Sequence, residues 1–169
     1  NVDSPVYSGS RSLKLEDNEA SGTPQAYVGW INGLQNGDSV TAGFWVYDTT
    51  PGASPSGRIW GHYTSDSSDI NSYAGSAGGN YDYGPGTGWH YAEYTWSFDA
   101  GTDRTGLVVE ARTYSNPGDI VWIDDITITA PDHASIQLAG TTAAVPVPAA
   151  VWLLGSGLVG LFGLRKKFA

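Results

Sequence analysis

Three segments of the sequence alternate aromatic rings with polar or charged side chains. Rings supply a large contact area at a low conformational cost, and Arg, Glu and His side chains can hydrogen-bond hydroxyl groups. This alternation predicts a surface that binds a glycan. The same rings could instead cover the edges of the fold or pack beneath a loop, because Trp and Tyr are often only partly buried. The candidate ligand-binding residues are Trp45, Tyr47, Arg58, Trp60, His62, Glu110, Arg112 and Tyr114.

A second candidate is the acidic pair in the segment VWIDDITIT. Asp124 is two residues from Trp122 and from Ile126, so strand alternation predicts that its carboxylate points inward while Asp125 points outward. A buried carboxylate must be neutralised, paired or bound to a metal. Asp124 is therefore a candidate metal ligand, and a structural Asp without a metal is the alternative.

Catalytic patterns are weak. The three histidines (His62, His90, His133) are scattered and form no metal-binding or nucleophile–base motif. Glycoside hydrolysis needs two carboxylates facing each other across a cleft, and the strand glutamates (Glu16, Glu93, Glu110) form no convincing pair. We predict that the protein is not an enzyme, with a glycoside hydrolase or lyase as the less favoured reading.

The elements that must position these residues are strands. Short alternating segments are separated by Gly, Asp, Asn, Ser and Pro, and no helical period occurs before the C-terminal tail. This pattern predicts an all-β domain over residues 1–130, built as a two-sheet sandwich. The predicted strands are Ser10 to Glu16, Ala26 to Ile31, Ser39 to Tyr47, Arg58 to Tyr63, His90 to Phe98, Thr105 to Tyr114 and Ile120 to Thr129.

Two segments are predicted to lack regular structure. Residues 64–88 form a long, tyrosine-rich loop, either functional or disordered, and residues 131–144 form a linker between the domain and the tail. There is no cysteine, so disulfides cannot contribute to stability. Residues 1–144 hold all 17 acidic residues and five basic ones, a formal net charge of −12, which argues against nucleic acid as a partner.

The tail, residues 145–169, combines a proline motif, an apolar run and a basic end. The uncharged residues 145–164 would span roughly 30 Å as a helix, enough to cross a bilayer, and we predict a single transmembrane helix over 149–164. The basic end should remain in the cytoplasm, which places the domain outside the cell. The motif consists of Val145, Pro146, Val147, Pro148 and Ala149, and the basic end of Arg165, Lys166 and Lys167.

This order of parts resembles the PEP-CTERM sorting tails, most closely the VPLPA variant, with Val147 in place of the usual Leu. The resemblance implies processing by an exosortase-type membrane protease in a Gram-negative bacterium. It also implies transient anchoring by the C-terminal helix, followed by display on the outer surface or in the extracellular matrix. An ordinary single-pass anchor with a proline-rich linker is the alternative.

The segments YSGSRSLKLED, AYVGWINGLQNGDSVTAGFWVY, GWHYAEYTWSF and VWIDDITIT together resemble the carbohydrate-binding-module β-sandwiches of the family 4, 9 and 22 type. The resemblance implies a jelly roll whose candidate ligand-binding strands lie side by side in one concave sheet. It also implies a structural Ca²⁺ at Asp124, with carbonyls of the Tyr7 to Gly9 turn as further ligands. Such domains begin with a strand that carries a G-x-F-E element; here that strand is expected upstream of Asn1, or the sheet edge is completed differently. An unpaired sheet edge could support self-association.

Two functions follow from these observations. The first is an exported, non-catalytic protein that binds polysaccharide at the cell surface or in the biofilm matrix. The alternative is a structural surface or filament protein, able to self-assemble, that keeps the sandwich without binding sugar.

Overall fold

The computed structural model describes residues 4–18, 22–49, 57–80, 87–113 and 117–139. Within these ranges every regular element is a strand. The strands are β1 Leu13–Glu16, β2 Gln25–Asn32, β3 Ser39–Asp48, β4 Gly57–Thr64, β5 Tyr73–Gly79, β6 Gly88–Ser97, β7 Gly106–Thr113, β8 Ile120–Thr129 and β9 Ser135–Leu138.

The strands form two antiparallel sheets. One has four strands in the order β1-β8-β3-β6, and the other has five in the order β5-β4-β7-β2-β9. Their inner faces pack against each other in one apolar core, to which β3 contributes Phe44 and Val46 and β7 contributes Leu107 and Val109. The prediction of an all-β sandwich is confirmed.

Two glycines show how closely the sheets approach. A Cβ atom on Gly57 of β4 would lie 2.2 Å from Cγ1 of Val46 on β3, and one on Gly29 of β2 would lie 2.2 Å from Cδ1 of Ile128 on β8. Both contacts cross from one sheet to the other. A larger residue at either position would force the layers apart or displace a core side chain.

All seven predicted strands are present, and two further strands lie where none was predicted. β5 lies in the segment 64–88, which was predicted to be a loop. The strand was not predicted because its sequence YAGSAGG has no alternation of large apolar residues and includes Gly75 and Gly78 at positive φ. β9 falls in the predicted linker 131–144. It pairs with β2 at the sheet edge, and Ala139 N donates a hydrogen bond to Val28 O at 3.1 Å. The ordered fold therefore continues past residue 130.

The C-terminal predictions lie outside the described residues: Val145 to Ala149, the helix 149–164, and Arg165 to Lys167. In the ranges that the structure covers, no helix has the length and apolar character needed to span a bilayer. The transmembrane helix and the strand expected upstream of Asn1 stay predictions.

Candidate ligand-binding site

Five of the predicted ligand-binding residues lie together on the outer face of the five-stranded sheet. β4 and β7 are neighbours, and their register places Trp60 opposite Glu110 and Arg58 opposite Arg112. Paired residues on antiparallel strands share a face, and the alternate residues of β4 and β7 point into the core. The prediction that these two strands lie side by side is confirmed, with His62 on the same face.

Glu110 organises the centre of this face. Its Oε1 atom contacts Nδ1 of His62, and its Oε2 atom accepts a hydrogen bond from Nε of Arg112. The side chains of His62 and Glu110 are 2% and 1% exposed, whereas Arg112 is 21% exposed. A buried carboxylate held by two partners positions those partners. Glu110 therefore orients His62 and Arg112 instead of contacting a ligand itself.

Above this buried pair lies a more exposed layer of rings. The guanidinium carbon of Arg112 is 5.1 Å from the ring centroid of Trp60, and the indole nitrogen of Trp60 donates a hydrogen bond to Ser76 Oγ at 3.1 Å. Both contacts fix the orientation of the indole. Trp60 is partly exposed, so the ring remains accessible to a ligand.

Two tyrosines that sequence reasoning missed complete the layer. The His62 ring lies 5.1 Å from that of Tyr27 and 5.4 Å from that of Tyr73. Tyr73 is 65% exposed and Tyr27 is partly exposed. In the described part of the chain, Nε2 of His62 is buried and has no hydrogen-bond partner. His62 thus forms the floor beneath two tyrosine rings.

Tyr27 was hidden by a β-bulge. Tyr27 pairs with Glu110 and Trp30 pairs with Val108, so both face outward although they are three residues apart. The register shift between Tyr27 and Gly29 inserts one extra residue into β2, so that Tyr27 and Trp30 point to the same face of the sheet. Simple alternation would place the two rings on opposite faces. The short aromatic run AYVGW, with a glycine at the shift, is the sequence signal that could have indicated it.

The predicted residues Trp45 and Tyr47 belong to the other sheet. β3 pairs with β6 and β8 in the four-stranded sheet, so these rings do not lie beside Trp60 and Arg112. The expectation, implied by the resemblance, that all three segments share one concave sheet is wrong, because β3 lies in the other layer. Alternation alone tells which residues point outward but not from which layer. Tyr114 lies outside the described residues.

Trp45 and Tyr47 instead join a cluster on the outer face of the four-stranded sheet. Tyr7 stacks on Trp45 with a centroid separation of 4.1 Å, and Tyr47 packs against Trp89 and Trp122. The Tyr91 ring contacts the Trp45 ring, and the Tyr7 ring also contacts the Trp89 ring. We call this set the six-ring cluster: Tyr7, Trp45, Tyr47, Trp89, Tyr91 and Trp122.

Asp124 supports the six-ring cluster from the same outer face. Its register partner is Trp45, so the prediction that it points inward is wrong. A register shift in this pair of strands, with Asp125 at φ +48°, places Ile126 and Ile128 against the core but leaves Asp124 outside. Oδ2 of Asp124 accepts hydrogen bonds from the backbone N–H groups of Tyr7 at 2.8 Å and Ser8 at 3.1 Å. These bonds hold the turn that carries Tyr7.

This arrangement does not fit the predicted Ca²⁺ at Asp124. The turn presents amide donors to the carboxylate, whereas a calcium ion needs oxygen ligands. The other oxygen, Oδ1, accepts a bond from the Asp125 amide at 2.8 Å. Among the described residues, no group of three or more His, Cys, Asp or Glu side chains could hold a metal. A calcium requirement stays an untested prediction.

One histidine outside the site has a perturbed acidity. His90 pairs with Val46 and faces the core side of the four-stranded sheet. Burial lowers the pKa of His90, because the charged imidazolium loses hydration, and the negative charge of Asp48 offsets part of this effect.

The C-terminal segment can be compared directly with known sequences. Residues 144–167 match the family model of the PEP-CTERM protein-sorting motif. The chain carries a PEP-CTERM sorting motif. The match includes the whole proline motif and the basic end, which confirms the sorting tail predicted from residues 145–169. A search of the curated proteins gives no match.

The domain that precedes the PEP-CTERM motif is similar in fold to several solved structures. The enzymatically active domain of tailspike protein 4 from bacteriophage CBA120 aligns with a TM-score of 0.50 and 15% identity. The alignment covers 78% of this chain and only 17% of that chain, and it shows the fold alone.

Two carbohydrate-binding modules are also similar. The CBM22-1 xylan-binding domain of Xyn10C from Paenibacillus barcinonensis has a TM-score of 0.49 and 13% identity, covering 76% of this chain and 78% of that chain. The family 16 carbohydrate-binding module 2 has a TM-score of 0.48 and 17% identity, covering 76% and 82%.

Proposed function

We propose that this protein binds polysaccharide at the surface, or in the extracellular matrix, of a Gram-negative bacterium, and that it is sorted there through its PEP-CTERM tail. The observation that carries the binding proposal is the layered site on the five-stranded sheet. Exposed rings lie above the buried side chains of His62 and Glu110, which fix their surroundings.

The exposed layer supplies what a sugar ring needs. Trp60 and Tyr27 offer ring faces for the apolar C–H groups of a sugar, and the Tyr73 ring is more exposed still. Arg112 and Ser76 offer hydrogen-bonding groups to hydroxyls beside the Trp60 ring. Because Glu110 and His62 already fix Arg112 and the rings above them, little conformational freedom is lost on binding.

Export is proposed from the tail. The PEP-CTERM motif at residues 144–167 supports recognition by an exosortase-type protease. The predicted helix 149–164 would anchor the chain in the membrane until it is processed. This order of events delivers the sandwich to the outside of the cell.

A binding role is favoured over catalysis by the surroundings of Glu110. In the described residues, Glu110 contacts a histidine and an arginine, not a second carboxylate. The other two strand glutamates, Glu16 on β1 and Glu93 on β6, lie in the opposite sheet. The paired carboxylates of a glycoside hydrolase are therefore not assembled around these glutamates.

The binding proposal is tested by native gel electrophoresis of the full chain, in mild detergent, through gels containing single polysaccharides. We expect at least one polymer to retard the protein. Trp60→Ala should abolish that retardation, whereas Trp45→Ala, which removes an equally large ring from the opposite sheet, should preserve it. Equal mobility of all three proteins across a broad panel would rule out the proposal.

One observation favours the alternative structural function. The six-ring cluster belongs to the other sheet from the proposed site, and two of its members, Tyr7 and Tyr91, are 42% and 43% exposed. Such a surface could pack against another copy of the chain. Electron micrographs that show filaments of the wild type, but not of Tyr7→Ser/Tyr91→Ser, would support self-assembly.

A further inference from the structure

The two sheets differ in the charges that their strands carry. The five-stranded sheet holds two arginines and one glutamate, together with His62. The four-stranded sheet holds one lysine, five carboxylates and His90. Counted over the strands alone, the sheet with the proposed site carries one more cation than carboxylate, whereas the four-stranded sheet carries four more carboxylates than cations.

The geometry points to a ligand with negative charges: we propose that the site selects polysaccharides that carry carboxylates, such as polymers of uronic acids. This inference rests on the proposed function, because it names the class of glycan that the same site would take. It depends above all on Arg112, the partly exposed cation beside the accessible ring of Trp60.

Arg112 is prepared for such a contact. Its Nε atom is held by Glu110, and its guanidinium lies over the Trp60 ring, so the plane of the group is fixed on two sides. The ion pair with Glu110 uses Nε of Arg112 and not its two terminal nitrogens. A guanidinium presents a planar fork of donors that matches the two oxygens of a carboxylate.

The position of Arg112 also couples charge to stacking. A sugar ring that stacks on Trp60 comes within reach of the guanidinium, because the two groups are only 5.1 Å apart. A uronic acid carries its carboxylate on the ring that would stack, so a single sugar unit can contact both the Trp60 ring and the Arg112 guanidinium. With a neutral sugar bound, Arg112 would keep its ion pair with Glu110 but gain no second carboxylate.

Arg58 lies directly opposite Arg112 on the same face. Like charges placed opposite each other on neighbouring strands are unfavourable unless an anion is close. Arg58 is 7% exposed and has interactions of its own, so it adds to the positive potential without being a direct contact.

The acidic remainder of the domain limits which polyanions fit. With 17 acidic and five basic residues before the tail, the molecule as a whole repels nucleic acid, whose phosphates are closely spaced. A polymer that contains uronic acids has at most one carboxylate per sugar. Local attraction at Arg112 can then exceed the general repulsion, most clearly at moderate salt.

The experiment compares acidic polymers with their carboxyl-reduced forms, which keep the backbone and lose the charge. Binding of the full chain to polygalacturonate, alginate and hyaluronan is measured by affinity electrophoresis beside each reduced polymer. We expect at least one acidic polymer to bind about tenfold more tightly than its reduced form, as one charge-assisted contact implies.

Arg112→Gln should remove this preference, so that an acidic polymer and its reduced form run alike, and Arg112→Lys should restore only part of it, because an ammonium lacks the fork. Lys14→Gln, which removes a cation from the four-stranded sheet, is the matched control and should keep the full preference. If Arg112→Gln does not fold, the wild-type preference and its loss at high salt still test the inference.

Equal binding of acidic and reduced polymers, or a preference for the reduced ones, would overturn the charge selectivity but leave the proposed function standing. Absence of binding to every polymer, neutral ones included, would overturn the proposed function and the selectivity together.

Discussion

His62 and Glu110 lie on neighbouring antiparallel strands and contact each other through Nδ1 and Oε1, with both side chains almost fully buried. Because Glu110 also holds Arg112, one carboxylate fixes two side chains on the outer face of the five-stranded sheet. A buried charge shared in this way is stable only while all its partners are present.

We therefore expect Glu110→Gln to lower the free energy of unfolding by about 3 kcal/mol, since it leaves a buried His62 and a partly buried Arg112 without their anion. Urea unfolding followed by tryptophan fluorescence measures the change. The matched control is Glu16→Gln, which breaks the exposed pair with Lys14 and should change stability by less than about 0.5 kcal/mol. Similar effects of the two variants would show that the buried network contributes nothing special.

A second prediction concerns Asp124, which holds the turn at Tyr7 and Ser8. Removing the carboxylate in Asp124→Ala leaves two amides without their acceptor and should cost about 1–3 kcal/mol. Loss of the stack between Tyr7 and Trp45 should also alter the near-ultraviolet circular dichroism.

Since amide donors already surround the Asp124 carboxylate, neither CaCl₂ nor EDTA should shift the melting temperature of the wild type. A rise in melting temperature with calcium that disappears in Asp124→Ala would contradict this reading and support the calcium site expected from the sequence.

Strand alternation in the sequence was sufficient to place β3 and β7, because large side chains alternate in both. It could not assign β3 to its sheet, since an outward ring alternates identically in either layer. The placement of Trp45 beside Trp60 came from the resemblance and not from alternation. β5 and β9 were not predicted, because they are held mainly by pairing at a sheet edge and not by large apolar side chains.

Two local irregularities limited the prediction of the site. The bulge after Tyr27 and the positive φ of Asp125 each change which face the following residues occupy. A strict count of alternate residues does not allow for such a shift and assigns the residues on one side of it to the wrong face. Tyr27 was therefore not predicted as a site residue, and Asp124 was predicted to point into the core. The core residues around these positions were less affected, because an apolar residue beside a bulge can still reach the core, as Val28 does.

The lowered pKa of His90 predicts a pH dependence of stability. Because the folded-state pKa lies below the ordinary value of about 6.5, the unfolded chain binds more protons in the interval between them. Stability should therefore fall as the pH is lowered through about 6.5 and level off below the folded-state pKa. Urea unfolding between pH 5 and 8 measures the effect, and His90→Gln should flatten the curve within this interval. An unchanged slope in that variant would assign the effect to another group.

The last prediction concerns the sorting tail. In a host with an exosortase, the surface form of the protein should lack Arg165 to Lys167, because cleavage is expected within or near Val145 to Ala149, ahead of the apolar run. Prolines keep the preceding backbone extended and outside a helix, so Pro146→Ala/Pro148→Ala should extend the predicted helix into the cleavage region and retain the tail. Mass spectrometry of surface and membrane fractions distinguishes the forms by their C-terminal peptides. Pro131→Ala, a proline exchange outside the motif, is the control and should be processed as the wild type is. Surface protein that still ends in RKKFA would show that the segment acts as a permanent anchor.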